Sequence, residues 1–198
     1  MIKFINIYRE IPYLILKRTY NKAVRSNQSN VEAIAISSYD KEKNEVDSRF
    51  VNLKFVDGDR FIFFSNYKSP KSIAFESHNQ ISALLYWQSI NVQIRMRANI
   101  KKMPINFNKQ YFSQRSINKN ALAISSNQSQ IISSFDEVAK QYNSVKKKSD
   151  LKNCPKYWGG YSFTPYEIEF WTGDKNRLNK RNLYKKNTNG WDHYILEP

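Results

Sequence analysis

The clearest pattern in the chain is a strict alternation of apolar and polar residues from Val92 to Ile100. Its even positions are apolar, and its odd positions are polar and include Gln93, Arg95 and Arg97. Because successive side chains of a strand point to opposite faces of a sheet, this period predicts a strand with one face on the core. The polar face is then directed toward solvent or a ligand.

Further apolar runs predict a series of strands separated mostly by short turns. Asp57-Gly58-Asp59 and Asn189-Gly190 are typical of tight turns. The run at 61–64 is apolar at every position, as in a strand with both faces buried. Together with the last 35 residues, which return to a strand pattern, the predicted strands cover 31–37, 50–56, 61–64, 81–87 and 92–100.

Prolines and capping residues predict where helices interrupt these strands. Ser69 followed by Pro70 fits the start of a helix that runs to about Ser77. A second helix is expected over 104–115, again opened by a proline. The sequence 134–137 reads as a capping box before a third helix. Its apolar stripe at helical spacing consists of Phe135, Val138, Tyr142 and Val145.

These elements predict a mainly β fold of the α+β class, an antiparallel barrel decorated with helices. We expect a single domain over 29–198, because the length of 198 residues suits one core and no internal repeat is visible. Residues 1–28 are expected to form a helical or partly ordered N-terminal arm.

The charge of the chain raises a different class of function. A net charge of +15 and a pI near 9.8 point first to nucleic acid as a partner. Cations interleaved with aromatic residues suit that role, and the candidates are Arg95, Arg97, Lys101 and Lys102. A bias of the whole composition toward lysine and asparagine is an alternative reason for the excess of lysine, and nucleic acid is kept as the less favoured partner.

Cysteine and histidine usage constrains the compartment and the cofactors. The single Cys154 cannot form an intramolecular disulfide, which favours a reducing compartment. Two histidines without cysteine or histidine spacing give no reason to expect a metal site. Neither a signal peptide nor a long uncharged apolar run is visible, so a cytoplasmic protein without membrane segments is expected.

Four segments together resemble the pyridoxamine 5'-phosphate oxidase family of FMN enzymes. They are Arg49-Phe50-Val51-Asn52-Leu53-Lys54, Tyr157-Trp158-Gly159-Gly160-Tyr161, Ile168-Glu169-Phe170-Trp171 and Arg177-Leu178-Asn179-Lys180-Arg181. The resemblance runs from about residue 31 to residue 198. It implies an FMN-binding split β-barrel that forms a homodimer, with FMN at the subunit interface.

The resemblance also implies which residues contact FMN. Lys71 stands in the first turn of a predicted helix, a natural phosphate site, and the Gln93 amide can donate to and accept from a flavin ring. Taken singly, both are more simply surface side chains, and the joint match favours the flavin role. The implied FMN residues are Arg49, Lys54, Phe64, Ser65, Lys71, Gln93, Gln128, Ser129, Trp171 and Arg181.

Family substrates carry a phosphate, and several residues match its ligands. Tyr111 and Arg115 are four apart on a predicted helix, so they share one face and can hold one phosphate together. An amphipathic helix with a half-buried tyrosine gives the same spacing. The implied substrate residues are Lys54, Tyr111, Arg115, Lys119, Arg177 and Asn179, the last two being the candidate catalytic pair beside the flavin.

The chain departs from the family pattern at four places. Pro70 replaces the arginine before the phosphate lysine, Lys119 a serine, and Asn179 the histidine of Arg-Leu-His. The ending Ile195-Leu196-Glu197-Pro198 replaces Arg-Leu-x-Pro.

The implied reaction is oxidation of pyridoxine or pyridoxamine 5'-phosphate to pyridoxal 5'-phosphate, with O2 as the electron acceptor and FMN as the carrier. The alternative within flavoproteins is oxidation of a different small molecule, as in related phenazine-pathway oxidases. Glu169 is expected to serve the strand or the dimer interface and not to act as a base.

Overall fold

The computed structural model describes residues 1–148 and 150–198 of the chain. Its five helices are α1 (Ile11–Arg25), α2 (Pro70–Ser77), α3 (Ile105–Gln114), α4 (Ile117–Ser125) and α5 (Phe135–Lys148). Its ten strands are β1 (Lys3–Ile5), β2 (Ala33–Asp40), β3 (Glu45–Asn52), β4 (Phe55–Asp57), β5 (Arg60–Asn66), β6 (Gln80–Trp87), β7 (Val92–Lys102), β8 (Trp158–Thr172), β9 (Lys180–Asn187) and β10 (Gly190–Leu196). The prediction of a mainly β chain with inserted helices is therefore confirmed.

All ten strands belong to one sheet, in the order β1-β4-β5-β8-β7-β6-β2-β3, with β9 beside β8 and β10 beside β9. The long strand β8 organises the sheet, because its first residues pair with β5 and its last residues pair with β9. The strict alternation of β7 is confirmed, since Val92, Ile94, Met96, Ala98 and Ile100 are all buried.

The expectation of a purely antiparallel sheet is wrong in one place. Strand β1 runs parallel to β4, with Lys3 opposite Phe55, whereas the other described pairs are antiparallel. A parallel pair needs a long connection, and the chain between β1 and β4, which includes α1, supplies it. The pairing brings Lys3 beside Lys54, whose carbonyl accepts the Lys3 amide at 2.9 Å.

The N-terminal segment contributes directly to the core. Tyr13 and Leu16 on α1 are at most 2% exposed, and the Tyr20 hydroxyl accepts the Ile2 amide at 3.1 Å. The Tyr20 ring also meets Trp87 edge to face. Residues 1–28 therefore consist largely of a short strand and a helix packed on the sheet. Within the described ranges, no helix has the length and apolar character needed to span a bilayer.

Three local predictions need correction. The predicted strand 50–56 is divided at Leu53 and Lys54, where the chain leaves β2 and joins β5. Helix α3 ends at Gln114, so Arg115 is the capping residue with extended backbone and not a helical one. The start of α5 differs as well. The Glu137 carboxylate accepts from the Ser133 hydroxyl in place of the predicted capping box, and Phe135, the first residue of the predicted apolar stripe, is 80% exposed.

Candidate functional site

A cavity of about 610 Å³ lies where the corner between β3 and β4 faces the end of β5 and the helices α2, α3 and α4. That volume suits a cofactor together with part of a substrate. Six of its lining residues are cationic, and none of the described lining residues is aspartate or glutamate. These cations are Lys3, Arg49, Lys54, Lys71, Arg115 and Lys119.

Lys71 is the most constrained of these cations. It stands in the first turn of α2, and only 4% of it is exposed. Its Nζ donates to the Ser69 hydroxyl at 3.2 Å, and it forms no ion pair with any described residue. Burial, with a smaller contribution from the nearby charge of Arg49, lowers the pKa of Lys71 to about 8. A buried ammonium at a helix N-terminus without a carboxylate is suited to an anion.

The turn before α2 is held by serine hydroxyl groups. Ser69 and Ser72 both donate to the Asn66 carbonyl at 2.8 Å, and Ser65 is buried at the end of β5. This network fixes the backbone next to Lys71. Arg49 approaches from β3 and is paired with Asp47, which is not among the residues lining the cavity.

Aromatic rings form one wall of the cavity. The Phe64 ring stacks on Tyr111 at 3.8 Å with an interplanar angle of 9°, and on Trp158 at 5.1 Å and 8°. The Arg115 guanidinium lies 4.3 Å from the centre of the Trp158 ring. Its buried Nη1 has no hydrogen-bond partner among the described residues. This orphaned donor on the same wall is a second sign of an anionic ligand.

Lys54 and Lys119 also line the cavity, together with Arg115. Burial lowers the pKa of Lys54, and although Glu32 opposes the shift, the charges of Lys119 and Arg115 add to it. Burial also lowers the pKa of the Arg115 guanidinium and raises that of the Tyr111 phenol, so the phenol stays protonated as a donor. Tyr111 and Arg115 both line the cavity, as predicted. Tyr111 lies on α3, whereas Arg115 follows the last residue of that helix.

A second charged region covers the outer face of β7, β8 and β9 in three cross-strand rows. The first row is Gln93, Trp171 and Arg181, which are direct neighbours in register. In the second row Arg95 faces Glu169, which is 7% exposed. In the third row Glu167 lies between Arg97 and Lys185.

The predicted site residues are thus divided between the cavity, the first row of the sheet face and the loop between β8 and β9. The cavity lining includes Arg49, Lys54, Phe64, Ser65, Lys71, Tyr111, Arg115, Lys119 and Gln128. Ser129 follows Gln128 with a left-handed backbone, φ 69°, and is not among the lining residues. Arg177 and Asn179 lie in the loop between β8 and β9, also outside the lining, and the Asn179 Oδ1 accepts the Asp174 amide at 3.1 Å.

Sequence reasoning missed Lys3 and did not predict the burial of Glu169. Lys3 lines the cavity through the parallel pairing of β1, a long-range contact that no local pattern signals. Glu169, expected to serve the strand or the dimer interface, is a buried charge between arginines of the two neighbouring strands, and only the register of the sheet shows this position.

The cations proposed for nucleic acid are largely neutralised. Arg95, Arg97 and Lys102 are paired with Glu169, Glu167 and Glu76, respectively. The polar side of β7 is therefore a set of ion pairs and not a free basic surface, which argues against that binding mode.

Comparisons with known sequences agree with the motifs. Residues 158–198 match the family model described as the pyridoxine 5'-phosphate oxidase C-terminal dimerisation region. A pyridoxine/pyridoxamine 5'-phosphate oxidase from Legionella pneumophila (strain Lens) is 33% identical over 189 residues, covering 94% of this chain and 87% of the relative. One from Ruegeria sp. (strain TM1040) is 31% identical over 190 residues, covering 94% of both.

Solved structures share the fold. PhzG from Burkholderia lata 383, in complex with tetrahydrophenazine-1-carboxylic acid, has a TM-score of 0.88 and 24% identity, covering 94% of this chain and 92% of that one. A pyridoxamine 5'-phosphate oxidase-related, FMN binding protein from Nostoc punctiforme PCC 73102 has a TM-score of 0.78 and 11% identity, covering 96% and 99%. The predicted split-barrel fold is confirmed, with a mixed sheet in place of a purely antiparallel one.

Proposed function

The chain belongs to the pyridoxine/pyridoxamine 5'-phosphate oxidase family, and on that basis we propose that it is an FMN-dependent oxidase that converts pyridoxine or pyridoxamine 5'-phosphate to pyridoxal 5'-phosphate. The observation that carries the proposal is Lys71, buried at the start of α2 without a carboxylate partner among the described residues. A charge in that position is stabilised by a bound anion, and the phosphate of FMN is such an anion.

The residues of the cavity fit FMN. Lys71, Arg49 and the buried Ser65 would hold its phosphate, and the lining residue Gln128 would contact the ring system with its neighbour Ser129. When bound, the flavin supplies the two-electron acceptor, and O2 regenerates it. The protein contributes orientation and fixed positive charge.

Three of the four remaining cations of the cavity suit a second phosphate, that of the substrate. Lys54, Lys119 and Arg115 converge on the cavity beside the Tyr111 phenol. The orphaned Nη1 of Arg115 supplies a donor whose desolvation cost a phosphate oxygen would offset. A substrate without a phosphate would leave this group of charges unneutralised, so the proposal predicts a preference for phosphorylated compounds.

The row formed by Gln93, Trp171 and Arg181 supports a homodimeric site. These residues match flavin contacts of the family but are not among the residues that line the cavity of the same chain. A second copy would supply its own row to the cavity, and the candidate catalytic residues Arg177 and Asn179 with it. The match of residues 158–198 to a dimerisation region agrees with this arrangement.

Two measurements test the proposal. Purified protein is titrated with FMN and followed by flavin absorbance and fluorescence, and peroxide release is then measured with pyridoxine 5'-phosphate and with pyridoxine. Tight FMN binding and turnover of the phosphorylated compound alone are expected. A protein that binds no FMN would exclude the whole assignment.

Asn179 favours a second candidate, a split-barrel flavoprotein that oxidises a different small molecule. The asparagine cannot carry a positive charge, and its side-chain oxygen already accepts the Asp174 amide within the loop. If the protein binds FMN but releases no peroxide with either B6 phosphate, this candidate replaces the first.

A further inference from the structure

The strongest unexplained feature outside the cavity is the buried carboxylate of Glu169. Its Oε1 accepts from the Arg181 Nε at 2.7 Å, and its Oε2 lies 3.2 Å from the Arg95 Nη1. Its side chain is only 9% exposed, whereas that of Arg95 is 53% exposed and that of Arg181 is 24% exposed. The carboxylate is thus enclosed at the centre of the sheet face.

Stability alone does not account for a charge in this position. A buried ion pair costs desolvation energy, and an apolar residue of similar volume often packs at least as stably. Leu183, which lies directly opposite Glu169 on β9, would provide an apolar neighbour for such a residue. The carboxylate is better explained by what it does to the arginine that it holds.

Glu169 belongs to the second row, and the arginine that it holds through Nε, Arg181, belongs to the adjacent first row. Arg181 lies directly opposite Trp171, which in turn lies opposite Gln93. Its Nε donates to Glu169 and its Nη1 donates to the Glu197 carbonyl at 3.0 Å. Its Nη2 makes no hydrogen bond to any described residue. Two anchors therefore fix the plane of the guanidinium and leave one edge open.

We propose that Glu169 is a positioning residue that orients Arg181, through its Nε, so that the open edge of the guanidinium meets the flavin. This inference rests on the proposed function, because it requires that FMN binds beside the first row. Glu169 itself does not touch the cofactor. Its effect on FMN should pass entirely through Arg181.

Glu167 provides a matched control on the same strand and face. It also lies between two cations, at 3.6 Å from Arg97 and 3.7 Å from Lys185, but it does not contact Arg181. Glu169→Gln keeps the size of the side chain and places an amide donor against one of the two arginines. Glu167→Gln makes the same chemical change one row farther from the proposed flavin.

The experiment is an FMN titration of the full-length chain and its variants, with the absorption spectrum of the bound flavin recorded each time. We expect Glu169→Gln to raise the FMN Kd about tenfold and to shift the flavin band, because a hydrogen bond between charged groups is lost. Glu167→Gln should leave the Kd within about twofold and the band unchanged, since a rim ion pair contributes little.

The Arg181→Gln background tests whether Glu169 acts through Arg181. In that background, Glu169→Gln should change the FMN Kd less than about twofold, because coupled residues are not additive. An equal loss in both backgrounds would overturn the proposal, as would a Glu169→Gln protein with the wild-type Kd and spectrum.

A measurement on the wild type covers the case in which Glu169→Gln does not fold. The Arg181 Nε–H should give a slowly exchanging ¹⁵N-NMR signal in the free protein, assigned by its loss in Arg181→Lys, and FMN should shift it. If FMN binds and the signal does not move, the inference fails while the proposed function stands. If the wild type binds no FMN, both fail.

Discussion

The cavity and the outer face of β7, β8 and β9 both carry dense charge, but they balance it differently. Six cations line the cavity without a described aspartate or glutamate among them. On the sheet face, Glu169 and Glu167 each lie between two cations. The cavity thus contains a buried cation, Lys71, without an ion pair to any described residue, whereas each carboxylate of the sheet face is paired on both sides.

This difference distinguishes a region that binds a ligand from a region that holds its neighbouring side chains in place. An uncompensated buried cation lowers the stability of the free protein and is stabilised when an anion binds, so it identifies a ligand site. A compensated carboxylate fixes its neighbours without offering a free charge to a ligand. The overall charge of +15 did not distinguish the two regions, whereas the location of the carboxylates does.

The largest expected effect comes from removing the uncompensated charge of Lys71. Lys71→Met should raise the FMN Kd by about 30- to 150-fold, because a desolvated hydrogen bond between charged groups is lost. The melting temperature of the FMN-free protein should rise, because a buried unpaired charge is removed. Fluorescence titration and thermal unfolding measure the two changes.

Lys101→Met is the matched control for Lys71→Met. Lys101 is an exposed lysine on β7 that is not among the residues lining the cavity. Its replacement should leave both the FMN Kd and the melting temperature almost unchanged. A similar loss of FMN affinity in the two variants would mean that net charge, and not the position of Lys71, attracts FMN.

The second prediction concerns the substrate side of the cavity. Arg115→Leu should raise the KM for pyridoxine 5'-phosphate about 10- to 100-fold, since the buried donor that would meet the phosphate is lost. The FMN Kd should stay within about twofold, because Lys71 and Arg49 remain. Steady-state peroxide release at saturating FMN measures the KM. A large loss of FMN affinity with little change in KM would assign Arg115 to the cofactor instead.

The third prediction tests the departure at Asn179. Asn179→His should raise kcat/KM for pyridoxine 5'-phosphate about 5- to 50-fold, since an imidazole can carry charge and reaches farther than the amide. Asn176→His, in the same loop, is the control and should have no effect. Robust turnover by the wild type, unimproved by Asn179→His, would show that the departure is harmless.

Local patterns in the sequence were sufficient for much of the fold. The period of β7 and the serine–proline start of α2 depend on neighbouring residues, and both were predicted almost to the residue. The parallel pairing of β1 and the burial of Tyr13 depend on contacts between distant segments. No local pattern encodes such contacts, so the role of Lys3 could not be predicted.

The site shows the same division. The motif match selected most of the residues that line the cavity, but it could not separate them from the row of Gln93, Trp171 and Arg181. It also gave no sign that Glu169 is buried, because strand alternation places glutamate on a polar face without saying what covers that face. Burial of charge is a property of the assembled sheet.

The fourth prediction uses the lowered pKa of Lys71, about 8 in the free protein. A phosphate dianion favours the protonated lysine, so the FMN Kd should rise about fivefold between pH 8 and pH 9 as the free lysine loses its proton. In the FMN-free protein, a rise in pH is favourable to the folded state. Between about pH 8 and 10.5 Lys71 keeps its proton in the unfolded chain but not in the folded one, so its contribution to the free energy of unfolding increases with pH. Lys71→Met should remove the Lys71 contribution to both pH dependences.

The smallest expected effect comes from adding a cation where the cavity is already rich in them. Pro70 is exposed at the first position of α2, beside Lys71, where the family has an arginine. Pro70→Arg should lower the FMN Kd about two- to fivefold at low ionic strength, because an exposed charge near a helix N-terminal anion contributes modestly and is screened by salt. The ratio of kcat/KM values for pyridoxine and pyridoxamine 5'-phosphate should not change.

Pro104→Arg, at the start of α3, makes the same substitution at another exposed proline that is not among the cavity residues, and it should leave the FMN Kd unchanged. If both substitutions tighten FMN equally, long-range attraction is responsible and the helix start of α2 has no special role. If neither has an effect at low salt, Lys71 and Arg49 already satisfy the phosphate and the departure at Pro70 is neutral.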